Sequence, residues 1–378
     1  MNLTAASPFG IMSTCMKLLL SLTDQSFLAT KSVGIFNVSM GLVRGFINCP
    51  EVTELHLLGN QECAARLTGL PDKVRLHLAD RPVPRRFARL WWDQVEVSDL
   101  IRSVDPDWAV LPKGFPPFFP RLGRSKLACY VHDVNWEYYR SLRSSDSPFP
   151  THELLYFRSL GLRALKLSDL VLTSTQFNRE RFAAYAPGAR TAVVGIGFDD
   201  PVRPPAEHER TGILFFASPY PHKLTALGIR RLSAWLAQRP DADRVRIHVI
   251  GKLPQQISLP DERWIPHTRL PFDELRELQH SQCRVTAYFS AYEGFGMPPV
   301  ESLRNGVACV ASDLPPHREN LPAASLFRND DEEDFIRCLD RAWQAPNTWT
   351  CPDYPTWNTV AARAVQAMQA VESNENRS

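Results

Sequence analysis

The stretch YEGFGMPPVES, Tyr292–Ser302, joins two apolar runs, Val285–Ser290 and Val307–Ser312, and combines two glutamates with two glycines and two prolines. Each run is typical of a buried strand, and Gly306 marks the end of the helix between them. The stretch is therefore predicted to be the strand-to-helix turn of a βαβ unit. In open α/β sheets, ligands bind at this edge, just outside the carboxyl ends of the strands.

The centre of this stretch favours an anion. Gly294 and Gly296 have no β-carbon, so backbone amides can approach a ligand closely, and the prolines that follow suit a first helical turn. A helix N-terminus adds positive potential. The predicted turn is therefore an anion site.

The flanking acids, Glu293 and Glu301, would repel a bare phosphate, but carboxylates accept hydrogen bonds from hydroxyl groups. A nucleotide sugar carries hydroxyls on both sides of a diphosphate and would satisfy both features. The alternative is that Glu301 only complements the helix dipole and that Glu293 lies on the surface.

Strands and helices alternate on both sides of a proline-rich charged segment, Asp199–Arg210. This pattern predicts an α/β protein with two doubly wound, Rossmann-like domains facing a cleft. The predicted boundaries are 1–198 for the first domain, with 1–15 disordered, 199–210 for a linker and 211–353 for the second domain. Beyond these, 354–371 is predicted as a helix that packs back on the first domain, and 372–378 as a disordered tail.

Composition excludes several classes of protein. The 378 residues include 43 basic and 41 acidic residues, a net charge of +2 that does not indicate nucleic acid as a partner. The eight cysteines are scattered, which indicates reduced thiols in a cytoplasmic protein. The apolar run Leu18–Leu22 is too short to span a bilayer or to form a signal peptide.

The segment Glu293–Glu301 resembles the E-x7-E motif of the family 4 retaining glycosyltransferases, which have the GT-B fold. The resemblance extends over most of the chain, through the segments Val33–Phe46, Leu127–Asp133, Leu165–Glu180, Ala217–Lys223 and Val307–Glu319. It implies that the first domain binds the acceptor and the second binds the nucleotide sugar.

The resemblance also implies roles for individual residues. Glu293 would contact the transferred sugar, Glu301 the ribose and Lys223 the diphosphate, while His132 would lie beside the donor sugar and the acceptor. The implied catalytic residues are His132, Lys223 and Glu293, and the implied donor-binding residues are Gly34, Lys223, Glu293, Gly294, Phe295, Gly296, Met297 and Glu301. The alternative for His132 is a structural histidine held by hydrogen bonds.

The sequence departs from the family pattern near the diphosphate. Ala217 and Ser218 occupy positions where the family often has an arginine. Arg269, His222 or backbone amides are the predicted substitutes for that charge.

No metal or other cofactor is predicted. The sequences Asp105–Asp107 and Asp241–Asp243 match the Asp-x-Asp pattern of metal-dependent transferases, but each precedes a predicted strand and is interpreted as a turn. The implied mechanism is a metal-independent front-face substitution with retention.

The resemblance implies transfer of a hexose, mannose or a related sugar first, to a glycan or lipid-linked acceptor in surface polysaccharide or lipopolysaccharide biosynthesis. The expected donor is a GDP-sugar, with UDP-sugars next. The segments Arg81–Trp92 and Phe115–Lys126 mix cations with aromatics and are interpreted either as a contact with the inner face of the membrane or as core aromatics with solvated arginines. Alternative functions are a nucleotide-sugar epimerase or phosphorylase on the same fold, or an inactive nucleotide-sugar-binding protein.

Overall fold

A computed structural model describes residues 15–22, 33–79, 91–142, 147–268 and 270–375. Within this part of the chain, thirteen strands form two sheets. The strands of the first sheet are β1 Met16–Ser21, β2 Val52–Gly59, β3 Val74–Leu78, β4 Trp108–Leu111, β5 Lys126–Tyr130, β6 Leu170–Thr173 and β7 Thr191–Val193. Those of the second are β8 Gly212–Ala217, β9 Arg246–Gly251, β10 Trp264–His267, β11 Cys283–Tyr288, β12 Ala308–Ser312 and β13 Leu326–Phe327.

Both sheets are parallel and doubly wound. The strand orders are β3-β2-β1-β4-β5-β6-β7 and β10-β9-β8-β11-β12-β13. Successive strands are therefore added toward one edge of each sheet and then toward the other, and the change occurs at β1/β4 in the first sheet and at β8/β11 in the second. Central strands such as β4 and β12 are buried along their whole length because helices cover both faces. The predicted α/β fold is confirmed, and the crevices at the two reversal points are where such sheets bind ligands.

Twelve α-helices complete the described part of the chain. They are α1 Val33–Asn48, α2 Gln61–Arg66, α3 Val97–Val104, α4 Trp136–Ser141, α5 Thr151–Leu167, α6 Gln176–Tyr185, α7 Thr225–Ala237, α8 Phe272–Gln282, α9 Met297–Arg304, α10 Pro315–Asn320, α11 Glu332–Gln344 and α12 Trp357–Glu375. A π-helical turn, Trp92–Glu96, precedes α3.

Helix α12 packs on α1, on the side of the first sheet. A β-carbon placed on Gly41 would lie 2.0 Å from the ring of Trp357, and one on Gly45 would lie 2.3 Å from the Trp357 carbonyl oxygen. The two helices approach so closely because α1 presents glycines at this interface.

The prediction of a disordered tail from Glu372 is wrong as far as Glu375, where α12 ends. The polar side chains that suggested disorder are held by partners on the first sheet. Glu372 accepts a hydrogen bond from the indole of Trp108 at 2.8 Å, and Glu375 forms an ion pair with Lys126 at 2.8 Å.

Both Asp-x-Asp sequences lie in turns, as predicted. Asp105 ends α3 in the left-handed conformation, with φ 48°, and Asp107 accepts a hydrogen bond from the amide of Lys17 before β4 begins. Asp243 lies in a 3-10 turn that precedes β9. Each turn is therefore at the amino end of its strand, opposite the edge where ligands bind.

Candidate active site

Lys223, Tyr288 and Glu293 form a buried polar cluster at the carboxyl edge of the second sheet. Lys223 ends a 3-10 turn that follows β8, Tyr288 is the last residue of β11, and Glu293 lies in the loop after it. The Lys223 ammonium donates to a Glu293 carboxylate oxygen at 2.6 Å and to the Tyr288 hydroxyl at 2.8 Å. The same carboxylate oxygen accepts from the Tyr288 hydroxyl at 2.8 Å.

Both charges of this cluster are stabilised by their partner. Burial raises the pKa of Glu293, but the Lys223 ammonium outweighs it and holds the pKa well below its usual range. Burial likewise lowers the pKa of Lys223, and the Glu293 carboxylate more than offsets it. The two side chains thus remain an ion pair at neutral pH, with no net charge between them.

The next residues present free amides at the start of α9. Gly296 is in the left-handed conformation, with φ 88°, and caps the helix. The amides of Phe295, Gly296 and Met297 donate no hydrogen bond within the described part of the chain. Amides that converge at a helix N-terminus are suited to an anion.

Glu301 is a half-buried carboxylate one turn into α9. It makes no hydrogen bond or ion pair through its side chain with the described residues. Burial raises its pKa to about 7, with a further contribution from the Asp200 carboxylate, while Arg276 acts in the opposite direction. An unpartnered acceptor of this kind is suited to a ligand hydroxyl.

His132 follows β5 and belongs to the first domain. Its Nε2 lies 2.8 Å from the Pro112 carbonyl oxygen, which can only accept, so Nε2 carries the proton and Nδ1 is an acceptor. Burial lowers the pKa of His132 to about 4, so the ring is uncharged at neutral pH. The prediction that this histidine faces the cleft remains a prediction, and its hydrogen bond to Pro112 also fits the structural alternative.

The two domains meet at the predicted motif. A β-carbon on Gly294 would lie 2.4 Å from the His132 carbonyl oxygen, so only glycine permits this contact. The Gly294 carbonyl in turn accepts hydrogen bonds from Thr175 and Asn178, each at 3.0 Å. The first domain therefore holds the turn of the second domain directly.

Gly34 also comes to this site. It lies in the first turn of α1, and a β-carbon placed on it would be 3.9 Å from the Met297 sulfur. The structure thus places Gly34, His132 and Lys223 beside the segment Glu293–Met297. That these residues and Glu301 share one ligand-binding cleft remains a prediction.

His222 and Arg269 were predicted to replace the positive charge of the missing arginine. His222 lies next to Lys223, where its Nδ1 is hydrogen-bonded to the Tyr139 hydroxyl at 2.6 Å. Burial, and next the Lys223 charge, lower its pKa to about 4, so it supplies no cation at neutral pH. Arg269 lies outside the described residues.

Asp133, Tyr288 and His317 were not assigned a role from the sequence. Burial raises the pKa of Asp133 to about 6, and the nearby Glu293 carboxylate adds to the rise. Tyr288 bonds both members of the ion pair. His317 is fully buried against the Gly296 turn. Only proximity in the fold distinguishes these residues, although His317 and Asp133 lie within segments that resemble the family.

Among the described residues, no group of three or more His, Cys, Asp or Glu side chains is placed to hold a metal ion. A cavity of about 340 Å³ lies elsewhere between the domains, beside Gly195, Phe295, Tyr354 and Arg363. Neither Lys223 nor Glu301 lines it, so we do not assign it to the site described above.

Comparison with known proteins identifies the second domain. A family model described as "Glycosyl transferases group 1" matches residues 261–348, which include both motif glutamates. The match covers the part of the second domain that contains the motif. The predicted resemblance is thereby confirmed.

One relative matches part of this chain in sequence. The O-antigen chain mannosyltransferase RfbU of Salmonella typhimurium is 34% identical over 77 residues, which are 20% of this chain and 22% of that protein. The matched region thus spans about a fifth of the relative's length.

Two solved structures share the whole architecture. Anabaena HepE, in complex with UDP and glucose, has a TM-score of 0.59 and 17% identity, over 96% of this chain and 98% of that one. Sucrose-phosphate synthase from Thermosynechococcus elongatus has a TM-score of 0.61 and 13% identity, over 94% of each chain. At these identities the likeness shows the GT-B fold alone.

Proposed function

We propose that this protein transfers a hexose from a nucleotide diphosphate sugar to a glycan or lipid-linked acceptor, with retention of configuration. One observation carries the proposal: the Lys223–Glu293 pair, the free amides at the start of α9 and the unpartnered Glu301 follow one another along the segment that leads from β11 into α9. A sugar, a diphosphate and a ribose are the ligand groups that match these three features in that order.

On the donor, Glu293 accepts hydrogen bonds from hydroxyls of the transferred sugar, and Glu301 accepts them from the ribose. The amides of Phe295, Gly296 and Met297 bind the diphosphate together with the Lys223 ammonium. These donors are fixed in place before the reaction, so they stabilise the charge that develops on the departing phosphate without reorganisation.

In the proposed reaction, the acceptor hydroxyl attacks the anomeric carbon on the face from which the diphosphate leaves. The new carbon–oxygen bond forms as the bond to the diphosphate breaks, and the acceptor proton passes to the departing phosphate oxygen. His132, uncharged at neutral pH, lies on the acceptor side and accepts a hydrogen bond at Nδ1 from a substrate hydroxyl. The reaction needs no metal ion, because the amides and Lys223 stabilise the leaving group.

Two relatives support the choice of substrates. RfbU is an O-antigen chain mannosyltransferase, which favours a mannose or related sugar and a surface-glycan acceptor. HepE was solved with UDP and glucose, which keeps UDP-sugars as the next candidates after GDP-sugars. Surface polysaccharide or lipopolysaccharide biosynthesis is the context that we propose.

The test is a panel of UDP-, GDP-, dTDP- and ADP-sugars, measured by thermal shift and by slow hydrolysis of the donor. We expect one nucleotide to raise the melting temperature and its sugar to be released. Glu293→Gln should lower hydrolysis while the free nucleotide still binds, because the sugar is the only part of the donor that Glu293 is proposed to contact. Absence of stabilisation by every donor would refute the transferase proposal, and binding without cleavage, even with acceptors present, would indicate an inactive binding protein.

We also propose a peripheral contact with an anionic membrane surface. No helix in the described part of the chain combines the length and apolarity needed to cross a bilayer. Phe119 is 86% exposed and Leu155 58% exposed, and their neighbours Phe118 and Tyr156 are in ring contact at 6.4 Å. The exposed Arg121 nearby suits anionic headgroups. The other predicted segment, Arg81–Trp92, lies outside the described residues as far as residue 90.

Sedimentation with phosphatidylglycerol and phosphatidylcholine vesicles tests this contact. We expect binding to the anionic vesicles only, reduced by salt and by Phe119→Asp. Phe272→Asp, a substitution of another exposed apolar residue on α8, is the matched control and should leave binding unchanged. Equal effects of the two substitutions would refute the assignment of this surface.

A further inference from the structure

The side chain of His317 is a buried polar group for which the proposed reaction has no role. It lies on α10 and is 0% exposed. Its Nδ1 lies 2.6 Å from the Ser312 carbonyl oxygen, which can only accept, so Nδ1 carries the proton of the neutral ring. Nε2 is buried as well and has no hydrogen-bond partner among the described residues. An unpaired buried acceptor is unfavourable and requires an explanation.

The unpaired Nε2 lies against the turn that is proposed to bind the diphosphate. A β-carbon placed on Gly296 would lie 2.4 Å from Nε2, so the imidazole is in contact with the Gly296 turn on its protein side. The free amides of Phe295 and Met297 flank Gly296 in this turn. The His317 ring is also 5.9 Å from that of Tyr288.

The charged groups around His317 come from three elements. Lys223 belongs to the turn after β8, Glu293 to the loop after β11, and Asp313 to the connection between β12 and α10. Burial lowers the pKa of His317 most strongly, and Lys223 lowers it further, against the opposing effects of Glu293 and Asp313. The ring is therefore uncharged while the site is empty.

The empty site has little positive side-chain charge for a diphosphate. Glu293 neutralises Lys223, and Ala217 and Ser218 occupy the positions at which an arginine was expected. A bound diphosphate diester carries two negative charges and would stabilise the protonated form of a nearby imidazole.

We propose that His317 takes up a proton when a nucleotide sugar binds, and thereby supplies the second positive charge of the donor site. This inference rests on the proposed function. The proton comes from solvent and is bound at Nε2, and no covalent bond of the donor changes. His317 contacts the Gly296 turn, which holds the donor-binding amides, and is therefore a positioning residue.

The test is a calorimetric titration with UDP-glucose and GDP-mannose at pH 7, in two buffers that differ in ionisation enthalpy. Sugar esters are the appropriate probes, because a terminal phosphate would itself titrate near pH 6. Uridine and guanosine give the baseline, since ribose binding to Glu301 releases a proton and would mask the uptake. We expect the nucleotide sugar that binds to take up roughly half a proton more than its nucleoside at pH 7.

Two variants separate this role from a structural one. His317→Asn keeps a donor near Ser312, and His317→Gln keeps a polar atom near Gly296, but neither side chain titrates. Both should abolish the additional proton uptake and weaken binding of the nucleotide sugar about tenfold at pH 6, with the difference closing by pH 8. His208→Asn, at an exposed histidine that is hydrogen-bonded to the Ser281 carbonyl, is the control and should keep the uptake.

Several outcomes would overturn the inference. In the wild type alone, equal proton uptake with the nucleotide sugar and with the nucleoside would overturn it. Uptake that persists in both variants would assign the proton to another group, such as His222. A loss of affinity of equal size at pH 6 and pH 8 would mean that His317 has only a structural role. If no nucleotide binds at all, the proposed function fails first, and the inference fails with it.

Discussion

Glu301 is a residue whose ionisation opposes folding. Its pKa is raised to about 7 in the folded chain, against about 4.5 for an ordinary glutamate, because burial disfavours the charged form. The folded state therefore holds a proton that the unfolded state has lost, and stability falls as the pH rises from about 4.5 through 7. The ionised Glu301 carboxylate, which has no partner among the described residues, therefore destabilises the folded chain.

We expect Glu301→Gln to raise the free energy of unfolding at pH 8 by roughly 1–3 kcal/mol, because the neutral amide does not ionise. At pH 5 the variant and the wild type should be equally stable. Urea unfolding at the two pH values measures the difference, and nucleotide affinity should fall because one acceptor for the ribose is lost. A stability gain of the same size at pH 5 would contradict this account.

At the residue scale, the sequence predicted the groups that the backbone pattern constrains. The glycines and glutamates of Glu293–Glu301 stand out because a strand precedes them and a helix follows. Tyr288 does not stand out, because a tyrosine that ends an apolar strand has the same pattern as a core residue. Its bonds to Lys223 and Glu293 join positions 65 and 5 residues away, and such a triangle is visible only in the fold.

Among the helices, α6 receives a cap from the other domain. Its first amides, Gln176 and Phe177, donate to the two carboxylate oxygens of Glu319 at 2.8 and 2.7 Å. Glu319 lies on α10, so a side chain of the second domain satisfies a helix N-terminus of the first. A carboxylate at this position also interacts favourably with the helix dipole.

We expect Glu319→Ala to lower the free energy of unfolding by about 1 kcal/mol, since two amides lose their acceptor. Glu319→Gln should lower it by less, because one amide oxygen remains to accept. Denaturant unfolding measures both, and Glu262→Ala, at an exposed glutamate of the second domain, is the control. Equal stability of the Glu319 variants and the wild type would mean that solvent replaces the cap fully.

Two elements of the second domain, α11 and β10, were not predicted from the sequence. Helix α11 has a clear pattern, with Phe335, Cys338, Leu339 and Ala342 at helical spacing and an Asp331 cap, and it could have been predicted. Strand β10 could not, because WIPH is four residues long and contains a proline. It is an edge strand, where proline is tolerated.

For the whole molecule, Asn178 forms a direct connection between the two domains. Its amide nitrogen donates to the His132 carbonyl at 2.8 Å and to the Gly294 carbonyl at 3.0 Å, one in each domain. The side chain is fully buried, so water does not replace these bonds.

We expect Asn178→Asp to separate the domains, because a carboxylate facing two carbonyl oxygens cannot donate to either. Turnover should fall at least tenfold, while nucleotide affinity, which the second domain provides, should change much less. Small-angle scattering should show a larger radius of gyration. Asn48→Ala removes an exposed bond to Asn358 and is the control. An unchanged radius of gyration together with unchanged turnover would refute this role for Asn178.

The packing of α12 on α1 has a consequence for synthesis. Asn48 and Asn358, which are hydrogen-bonded to each other, are 310 positions apart in the chain. Trp108 and Glu372, which are also hydrogen-bonded, are 264 positions apart. The first domain is translated long before the helix that covers one of its faces. During that interval the glycine-lined surface of α1 is uncovered on the nascent chain, and apolar surface exposed in this way is prone to aggregation.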